Sequence, residues 1–585
     1  MNNFRRDSFI LYAALVVAVL LSAFVSAETA GVHAADLPEP DRKAIFHPVY
    51  ARNGMVVSEE RYATEAGLQV LREGGNAVDA AVTVGFVLAV TFPRAGNLGG
   101  GGFMLVRLAE TGEVVAIDYR EKAPLAVTAD TFLDSNGNVD TEKSRHSVLS
   151  AGVPGTVAGL AFALEKYGTI PLEKAIRPAL LLAKKGFPVS ENLARSLEDA
   201  RGRMENEPES MRIFFKEGGE AYAPGETLVQ KDLAETLKLI SRHGPEAFYE
   251  GEIAAKISRF MSERGGLITE RDLKEYRTAL REPVRGTYRG YEIYSMPPPS
   301  SGGVHLVEML NILEGFPLGE YGHNTARTIN LMAEAMKFAY ADRSEHLGDP
   351  DFKEVPVKEL TSKEYAAKLG ERMSPGRVTP SVRIKPGEMP REEGPDTTHF
   401  SVIDSKGNMV SNTYTLNFDY GSKITVPGTG ILLNNEMDDF SMKPGEPNAY
   451  GLVGGSANAP EPRKRMLSSM TPTIVLKDGE PFLVTGSPGG SLIITTVLQI
   501  ITNALDFGMN ISEATNAPRV HHQWLPDKLR IEKGISRDTI RILTERGYTI
   551  ETGNTMGSAQ SIMKKGEFIY GASDPRRPGG LAEGY

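Results

Sequence analysis

The sequence changes character at residue 397. Residues 380–395 are rich in proline, glycine and charged side chains and lack apolar periodicity, so we expect an exposed or loosely held segment. Two runs typical of β-strands follow, at 398–404 and 409–417, joined by a loop of hairpin length. The middle of the chain before this point consists mainly of helical patterns. The fold must therefore combine a largely helical first part with a strand-rich last part.

The bond between Asp396 and Thr397 lies where this change occurs. We hypothesise that this bond is cut and that Thr397, which then carries a free α-amine beside its hydroxyl, is a catalytic nucleophile. A free α-amine has an ordinary pKa of roughly 7.7 to 8.0, so near neutral pH it can accept the hydroxyl proton, and no histidine base is required. The alternative interpretation is that Thr397 and Thr398 only open a β-strand, a position that threonine favours.

Composition excludes several classes of function. The chain has 585 residues, a net charge of −10 and no cysteine. The acidic balance, without a sustained Lys/Arg block, argues against a nucleic-acid surface, and the absence of cysteine excludes disulfides, thiolate zinc sites and a cysteine nucleophile. There is no His-Glu-x-x-His helix, and the side chains of the neighbours His521 and His522 would diverge. We therefore predict neither a metal nor a cofactor.

The N-terminus has the pattern of an export signal. Arg5 and Arg6 precede an apolar run at residues 9–25, and Val25-Ser26-Ala27 ends it with small residues. We predict a signal peptide at 1–27 and a periplasmic or secreted mature protein. An uncleaved membrane anchor is the alternative, because the run is about as long as a minimal membrane span.

Arg120 is the first candidate binding residue. A one-sided helix from residue 58 stops at Gly74, and Asn76 can cap an apolar helix at 77–90. The glycine-rich segment 96–102 lacks the ending of a phosphate loop, which indicates close backbone packing instead. Strands at 103–107 and 114–119 then bring Arg120 to a strand end. There it could clamp a carboxylate with its planar guanidinium or be a solvated charge.

A second hairpin, at 473–476 and 482–485, leads to Gly489 and Gly490 and then to an apolar helix at 492–505. Adjacent glycine N–H groups at a helix start are free donors and could stabilise an oxyanion. The alternative is a tight strand-to-helix turn that binds no ligand.

These pieces together resemble the γ-glutamyltranspeptidase family of N-terminal nucleophile hydrolases over nearly all of the mature chain. Two of the matching motifs are Asp118-Tyr119-Arg120-Glu121 and Thr413-Tyr414-Thr415-Leu416-Asn417. The matching stretches, all in one order, are residues 96–103, 118–121, 154–159, 397–399, 413–417, 434–440, 467–473, 485–490 and 571–576.

The resemblance implies an α+β fold with four αββα layers, formed by an inactive precursor that cuts itself. The large subunit would be residues 28–396 and the small subunit residues 397–585, beginning with the catalytic threonine. The two subunits would stay associated. In the precursor the Thr397 hydroxyl would attack the carbonyl of Asp396, the acyl group would move from nitrogen to oxygen, and water would release the new terminus.

The resemblance also implies the reaction. Thr397 would attack the γ-carbonyl of glutathione or another γ-glutamyl compound, and the γ-glutamyl group would pass from the resulting ester to water or to an amino acid or peptide. The family's site residues fall on Thr415 beside the nucleophile, Gly489 and Gly490 as oxyanion donors, Arg120, Ser468 and Ser469 around the α-carboxylate, Asn417, Glu436 and Asp439 around the α-amine, and Tyr450 in a lid at 441–465.

Each assignment has an alternative when its segment is taken alone. Asp438-Asp439 could be a solvated turn, and Ser468-Ser469 could open a strand. Two other functions also remain open: a related acylase that hydrolyses side-chain amides, and a catalytically silent protein that binds γ-glutamyl ligands.

Overall fold

The computed structural model describes residues 42–384 and 397–585. The predicted signal peptide at 1–27 and the predicted cleavage residue Asp396 therefore lie outside the described residues, whereas Thr397 lies inside them. Phe46–Tyr585 forms one compact unit.

The first sheet has seven strands, all paired antiparallel. Both segments that the sequence assigned to the hairpin after residue 397 lie near its centre, where they pair with each other. In spatial order the strands are Leu581–Gly584, Met55–Ser58, Thr398–Ile403, Met409–Thr415, Gly101–Arg107, Val114–Tyr119 and Ala279–Arg281.

The second sheet also has seven antiparallel strands. Its centre is the second predicted hairpin, observed at Thr473–Lys477 and Glu480–Thr485. In spatial order the strands are Val49–Ala51, Phe568–Ser573, Gln560–Lys565, Glu480–Thr485, Thr473–Lys477, Tyr291–Ser295 and Val284–Tyr288. Two smaller sheets pair Thr425–Val426 with Ile431–Leu432 and Phe187–Pro188 with Thr227–Leu228. In a third, Leu529–Ile531 pairs with Val520–His521 on one side and with Ile550–Thr552 on the other.

Helices cover the outer face of each sheet. Those that precede residue 276 lie on the first sheet's side, and most of the later ones lie on the second sheet's side. The first group is Arg61–Arg72, Ala77–Thr91, Thr141–His146, Thr156–Tyr167, Leu172–Lys185, Glu191–Met204, Pro208–Phe214, Lys231–His243, Glu246–Tyr249, Glu252–Arg264 and Glu270–Glu275. The later helices are Gly302–Glu314, Leu318–Tyr321, Ala326–His346, Val357–Leu360, Lys363–Glu371, Leu492–Leu505, Ile511–Asn516 and Arg537–Glu545.

Three apolar cores join these layers. The inner faces of the two sheets meet through buried side chains such as Val57 and Phe103 from the first sheet and Ile474 and Val484 from the second. The outer face of each sheet forms a separate core with its own helices. The predicted α+β fold with αββα layers is confirmed. Successive side chains along a strand point to opposite faces of the sheet, so each sheet packs one face against the other sheet and its other face against helices.

The Gly96–Gly102 segment packs closely against backbone, as its composition predicted. A Cβ at Gly99 would meet the carbonyl oxygen of Leu432, and one at Gly100 would meet that of Thr415. Glycine is required here because two chain segments approach nearer than a side chain allows. This close approach seats the glycine segment directly behind Thr415.

Among the described residues, no helix combines the length and apolar character that crossing a membrane requires.

Asp79 joins the apolar helix Ala77–Thr91 to the segment that follows helix Thr156–Tyr167. The side chain is fully buried and completes the capping box with Asn76. Its carboxylate also accepts hydrogen bonds from the Thr169 N–H (2.7 Å), the Thr169 hydroxyl (2.6 Å) and the Ile170 N–H (3.2 Å).

We expect Asp79→Ala to lower the melting temperature by roughly 5 °C or more, because it leaves several buried donors without an acceptor. Thermal unfolding followed by circular dichroism measures this. Asp538→Ala, at an exposed first turn, is the control and should melt like the wild type. Equal melting temperatures for the two variants would contradict the role given to Asp79.

Candidate active site

Thr397 is held in place by strand pairing. Thr398 lies opposite Tyr414 in the antiparallel pair, so Thr397, one residue earlier, comes beside Thr415. The two hydroxyl oxygens are 3.4 Å apart, and Thr397 is only 4% exposed. The carbonyl of Thr397 accepts a hydrogen bond from Arg577 Nη1 (2.9 Å). Both the backbone and the hydroxyl of the predicted nucleophile therefore have defined contacts.

Asn417 departs from the expected strand. The sequence predicted a strand at 409–417, but the strand ends at Thr415 and Asn417 has a φ of +78°. Asparagine tolerates this left-handed backbone better than most residues do. The turn lets the Asn417 N–H donate to Thr415 Oγ1 (2.8 Å) and lets its side-chain amide donate to the carbonyl of Asn435 (2.9 Å).

Arg120, Glu436 and Asp439 form one buried charged cluster. Arg120 Nη1 lies 2.6 Å from Glu436 Oε2, and its Nη2 lies 2.5 Å from Asp439 Oδ2. Arg120 Nε donates to the carbonyl of Met466 (3.3 Å). The residues that the family resemblance assigned to opposite ends of the substrate therefore contact each other directly.

Burial shifts the pKa values of this cluster. Burial raises the pKa of Glu436 well above its usual range and also raises the pKa of Asp439, although Arg120 opposes both shifts. Glu121, which follows Arg120 and is fully buried, has its pKa raised by burial to about 7. Neither carboxylate oxygen of Glu121 has a hydrogen-bond partner among the described residues. The cluster therefore favours at least one neutral carboxyl group near neutral pH.

Ser468 and Ser469 line the same cavity as Arg120. Ser469 Oγ accepts a hydrogen bond from Arg343 Nη2 (3.2 Å), and Arg343 Nε donates to Ser301 Oγ (3.0 Å). Arg343 is buried, and no carboxylate of the described chain lies within ion-pair distance of it. The sequence does not point to Arg343. Nothing in helix Ala326–His346 indicates which of its charged side chains enters a cavity formed by distant parts of the chain.

The turn at Gly489 and Gly490 has the geometry of a donor site. Their φ values are +135° and +55°, which glycine adopts readily. Neither N–H group donates a hydrogen bond within the described part of the chain. Gly490 lines the cavity, and Gly489 precedes it at the start of the turn that leads into helix Leu492–Leu505.

Tyr450 covers the site from the 441–465 segment. Its hydroxyl donates hydrogen bonds to both the carbonyl and the side-chain oxygen of Asn417, and its ring fills the space that a Cβ at Gly490 would occupy. Asp438 holds this segment by accepting from the Ala449 N–H (3.1 Å). Asp438 is therefore not a solvated turn residue, because its other oxygen binds Ser144 and Arg145.

The cavity enclosed by these residues has a volume of about 20 Å³. The structure brings together all but two of the site residues named from the sequence: Gly489 adjoins the cavity without lining it, and Asp396 lies outside the described residues. The lining residues are Arg120, Arg343, Thr397, Thr415, Asn417, Glu436, Asp439, Tyr450, Leu452, Ser468, Ser469, Met470, Gly490 and Ile493.

His399 is a buried strand residue. Its ring contacts the hydroxyls of Thr413 (2.8 Å) and Ser401 (3.1 Å), and burial lowers its pKa to about 3.

Within the described ranges, no group of three or more His, Asp or Glu side chains is arranged to hold a metal ion.

The raised pKa of Glu121 predicts a pH dependence of stability. Because the folded protein favours the neutral carboxyl, the contribution of Glu121 is fully present below its ordinary pKa of 4.5 and is lost as pH rises through about 7. Glu121→Gln removes this loss. We expect the melting temperature of the variant, relative to the wild type, to be higher at pH 8 than at pH 5 by about 3 °C or more. The exposed variant Glu113→Gln should track the wild type at both values, and parallel profiles for all three proteins would contradict the assignment.

Comparisons with known proteins agree on one family. The model of the gamma-glutamyltranspeptidase family matches residues 63–584. A glutathione hydrolase proenzyme of Escherichia coli (strain K12) is 53% identical over 574 residues, which cover 98% of each chain.

Two solved structures also resemble this chain. The gamma-glutamyltranspeptidase of Helicobacter pylori is 48% identical and has a TM-score of 0.57, covering 59% of this chain and 98% of that one. A cephalosporin acylase from Bacillus halodurans is 29% identical, with a TM-score of 0.81 over 94% of this chain and 98% of that one. From its matched motifs, its αββα layers and these relatives, the chain belongs to the gamma-glutamyltranspeptidase family.

Proposed function

We propose that this protein is a self-cleaving precursor of a γ-glutamyltransferase and glutathione hydrolase, with Thr397 as its nucleophile. The observation that carries the proposal is the position of the Thr397 hydroxyl. It lies 3.4 Å from Thr415 Oγ1, in one buried cavity that also contains a charged cluster and the free-donor turn at Gly490. A nucleophile, an oxyanion site and a charged receptor for a zwitterion are what γ-glutamyl transfer requires.

Processing divides the chain at the bond between Asp396 and Thr397. The Thr397 hydroxyl attacks the carbonyl carbon of Asp396, and the C–N bond breaks as the acyl group moves to oxygen, which frees the α-amine of Thr397. Water then hydrolyses the ester and leaves a carboxylate on Asp396 and the free hydroxyl on Thr397. Residues 28–396 and 397–585 become the large and small subunits. Support comes from the proenzyme name of the Escherichia coli relative and from the Helicobacter pylori chain, which corresponds to 59% of this one.

The freed α-amine then acts as the base in catalysis. It takes the hydroxyl proton while the Thr397 oxygen attacks the γ-carbonyl of the substrate, and the Gly489 and Gly490 N–H groups donate to the developing oxyanion. Thr415, which already accepts from the Asn417 N–H, donates or accepts at the nucleophile's oxygen. Collapse of the tetrahedral intermediate breaks the γ-amide C–N bond, and the α-ammonium of Thr397 returns its proton to the departing amine, which leaves a γ-glutamyl ester on Thr397. Water or the amine of an amino acid or peptide then attacks the ester carbonyl and releases the Thr397 hydroxyl.

A γ-glutamyl head group binds by exchanging charges within the cluster. Its α-carboxylate replaces Glu436 and Asp439 as partner of Arg120 and accepts from Ser468 and Ser469. Its ammonium pairs with the two displaced carboxylates and donates to the side-chain oxygen of Asn417. This exchange leaves no charge buried without a partner, which would otherwise be costly.

Substrate entry requires the lid to move. A cavity of about 20 Å³ is far below the several hundred Å³ typical of small-molecule sites. Tyr450 is the part of the 441–465 segment that fills the remaining space, so opening this segment admits the substrate and closing it excludes water.

Residues 1–27 are the export signal in this proposal, and the mature enzyme is periplasmic or secreted. The apolar run and its small-residue ending support this location. Glutathione and other γ-glutamyl compounds are the donors, and amino acids or peptides are the acceptors.

A side-chain amide acylase is the second candidate, favoured by the name of the Bacillus halodurans structure and by Arg343, a cavity arginine with no carboxylate partner in the described chain. Glutaryl p-nitroanilide, which lacks the α-amine, discriminates between the two. Turnover of the γ-glutamyl anilide alone supports the transferase, and comparable turnover of both anilides supports the acylase.

Processing should be visible in the sizes of the two subunits. Purified active protein should run on a denaturing gel as two pieces of about 40 and 21 kDa, the shares of the 63.5 kDa chain on either side of residue 397 after loss of the leader. Thr397→Ala should remain one chain and release no product from a γ-glutamyl anilide. Thr397→Ser retains a hydroxyl and should still be cleaved. Two pieces from the alanine variant, or full activity in an uncut chain, would disprove the mechanism.

A conservative substitution tests the role of Arg120. Arg120→Lys should raise the KM for a γ-glutamyl anilide about tenfold or more, with a smaller change in kcat, because an ammonium cannot reproduce the planar two-point contact. Arg107→Lys is a matched control, since Arg107 is buried on the neighbouring strand and, within the described residues, donates only to the carbonyls of Gly407 and Gly479. Equal KM values for the two variants would exclude Arg120 from head-group binding.

A further inference from the structure

A second, much larger cavity lies in the helical layer of the first sheet. Its volume is about 800 Å³, within the range of small-molecule sites, and none of its lining residues belongs to the active-site cavity. Three segments form it: helix Thr156–Tyr167 with residues 170–172, helix Glu246–Tyr249 with the residues on either side of it, and residues 276–278. We call it the Tyr276 cavity.

The walls of the Tyr276 cavity are apolar and aromatic. Phe162, Leu164 and Ile170 line one side. The rings of Tyr249 and Tyr276 stack at 5.6 Å with an interplanar angle of 12° and form a rigid surface. The hydroxyl of Thr278, also in the lining, is buried and has no hydrogen-bond partner among the described residues. The surface that an occupant would meet is therefore mainly apolar.

The charge at the cavity is mainly negative. Glu250 is paired with Lys274 (3.0 Å), but Glu165 and Glu246 have no ion-pair partner within the described ranges. The one cationic lining residue, Arg277, directs Nη1 to the carbonyls of Lys274 and Tyr276 (2.6 Å each). Glu165 and Glu246 are exposed, and two unpaired carboxylates among the lining residues suit a positive charge. The aromatic rings do not add to this attraction, because Lys166 already lies over the Phe162 ring (5.5 Å) and Lys122 over the Tyr276 ring (6.0 Å).

We propose that the Tyr276 cavity is a second ligand site, which binds an organic cation with an aromatic or branched apolar body. The apolar body packs against Phe162, Leu164 and the tyrosine pair, and the cationic group lies at the mouth of the cavity between Glu165 and Glu246. The site does not depend on the function proposed above.

Two hydrogen bonds link the cavity to the active site. The Tyr276 hydroxyl donates to the carbonyl of Arg120 (3.0 Å), and the Tyr249 hydroxyl donates to the carbonyl of Pro154 (3.0 Å). The neighbouring Gly155 N–H in turn donates to the carbonyl of Gly100 (2.8 Å), in the glycine segment behind Thr415. An occupant that presses on the tyrosine pair therefore acts on the backbone of Arg120, and reciprocity requires that substrate binding alter its affinity equally.

The test uses the phenethyltrimethylammonium ion, which has no N–H and cannot accept a γ-glutamyl group. Calorimetric titration of the purified full-length protein should give a Kd on the order of 1 mM, as expected for a ligand of this size. The neutral 2-phenylethanol should bind at least tenfold more weakly, and the anionic 3-phenylpropionate should not bind.

Variants locate the binding. Glu165→Gln/Glu246→Gln should weaken the cation's binding about tenfold and leave the neutral alcohol unaffected. Glu198→Gln/Glu263→Gln removes the same charge from exposed helix positions outside the cavity and should bind like the wild type. Absence of binding, binding unchanged by the first pair, or equal weakening by both pairs would overturn the proposal.

Kinetics test the link to Arg120. The cation should shift the KM for a γ-glutamyl anilide at least twofold in the wild type. In Tyr276→Phe, which lacks the hydroxyl, the cation should still bind but shift KM much less. An unchanged KM in the wild type, with binding established, would overturn the link, whereas an inactive protein that still binds the cation would count only against the function proposed above.

Discussion

The antiparallel pairing of Thr398–Ile403 with Met409–Thr415 is the interaction on which the candidate site depends. Its register puts Thr398 opposite Tyr414 and so sets Thr397 beside Thr415. A shift of one residue would turn every side chain of the strand to the other face and would bury Thr397, the predicted nucleophile, in an apolar core. The register is held from both sides, because the first strand also pairs with Met55–Ser58 and the second with Gly101–Arg107.

Two buried side-chain amides hold the backbone around the rest of the cavity. Asn97 accepts from the Gly100 N–H (2.7 Å) and donates to the carbonyl of Thr415 (2.9 Å). Asn434 accepts from the N–H groups of Gly152 (2.8 Å) and Glu436 (3.0 Å). An amide supplies a donor and an acceptor at once, so each can satisfy several backbone groups where no water reaches. These hydrogen bonds thus fix the backbone next to the charged cluster.

The charged side chains of the cavity are paired with one another. Arg120, Glu436 and Asp439 cannot remain buried as separate charges, since the desolvation cost would be several kcal/mol for each ion. Direct pairing offsets that cost and keeps the cavity small. In the proposed function, a ligand with both charges gives Arg120 a new carboxylate and gives the two displaced carboxylates an ammonium, whereas a singly charged molecule would leave a buried charge without a partner. The proposed selection for a zwitterion follows from this balance.

The sequence alone determined the main elements and the family, and it is the source of the prediction that Thr397 is the nucleophile. Caps, glycine stops and alternation are local signals, so helix Ala77–Thr91 and both hairpins could be predicted, as could the close packing at Gly96–Gly102. Only the tertiary structure decided that Arg120 pairs with Glu436 and Asp439, that Asn417 leaves its strand, and that Arg343 enters the cavity. Those outcomes depend on contacts between residues far apart in the chain and on the cost of burying charge, and neither leaves a periodic pattern in the sequence.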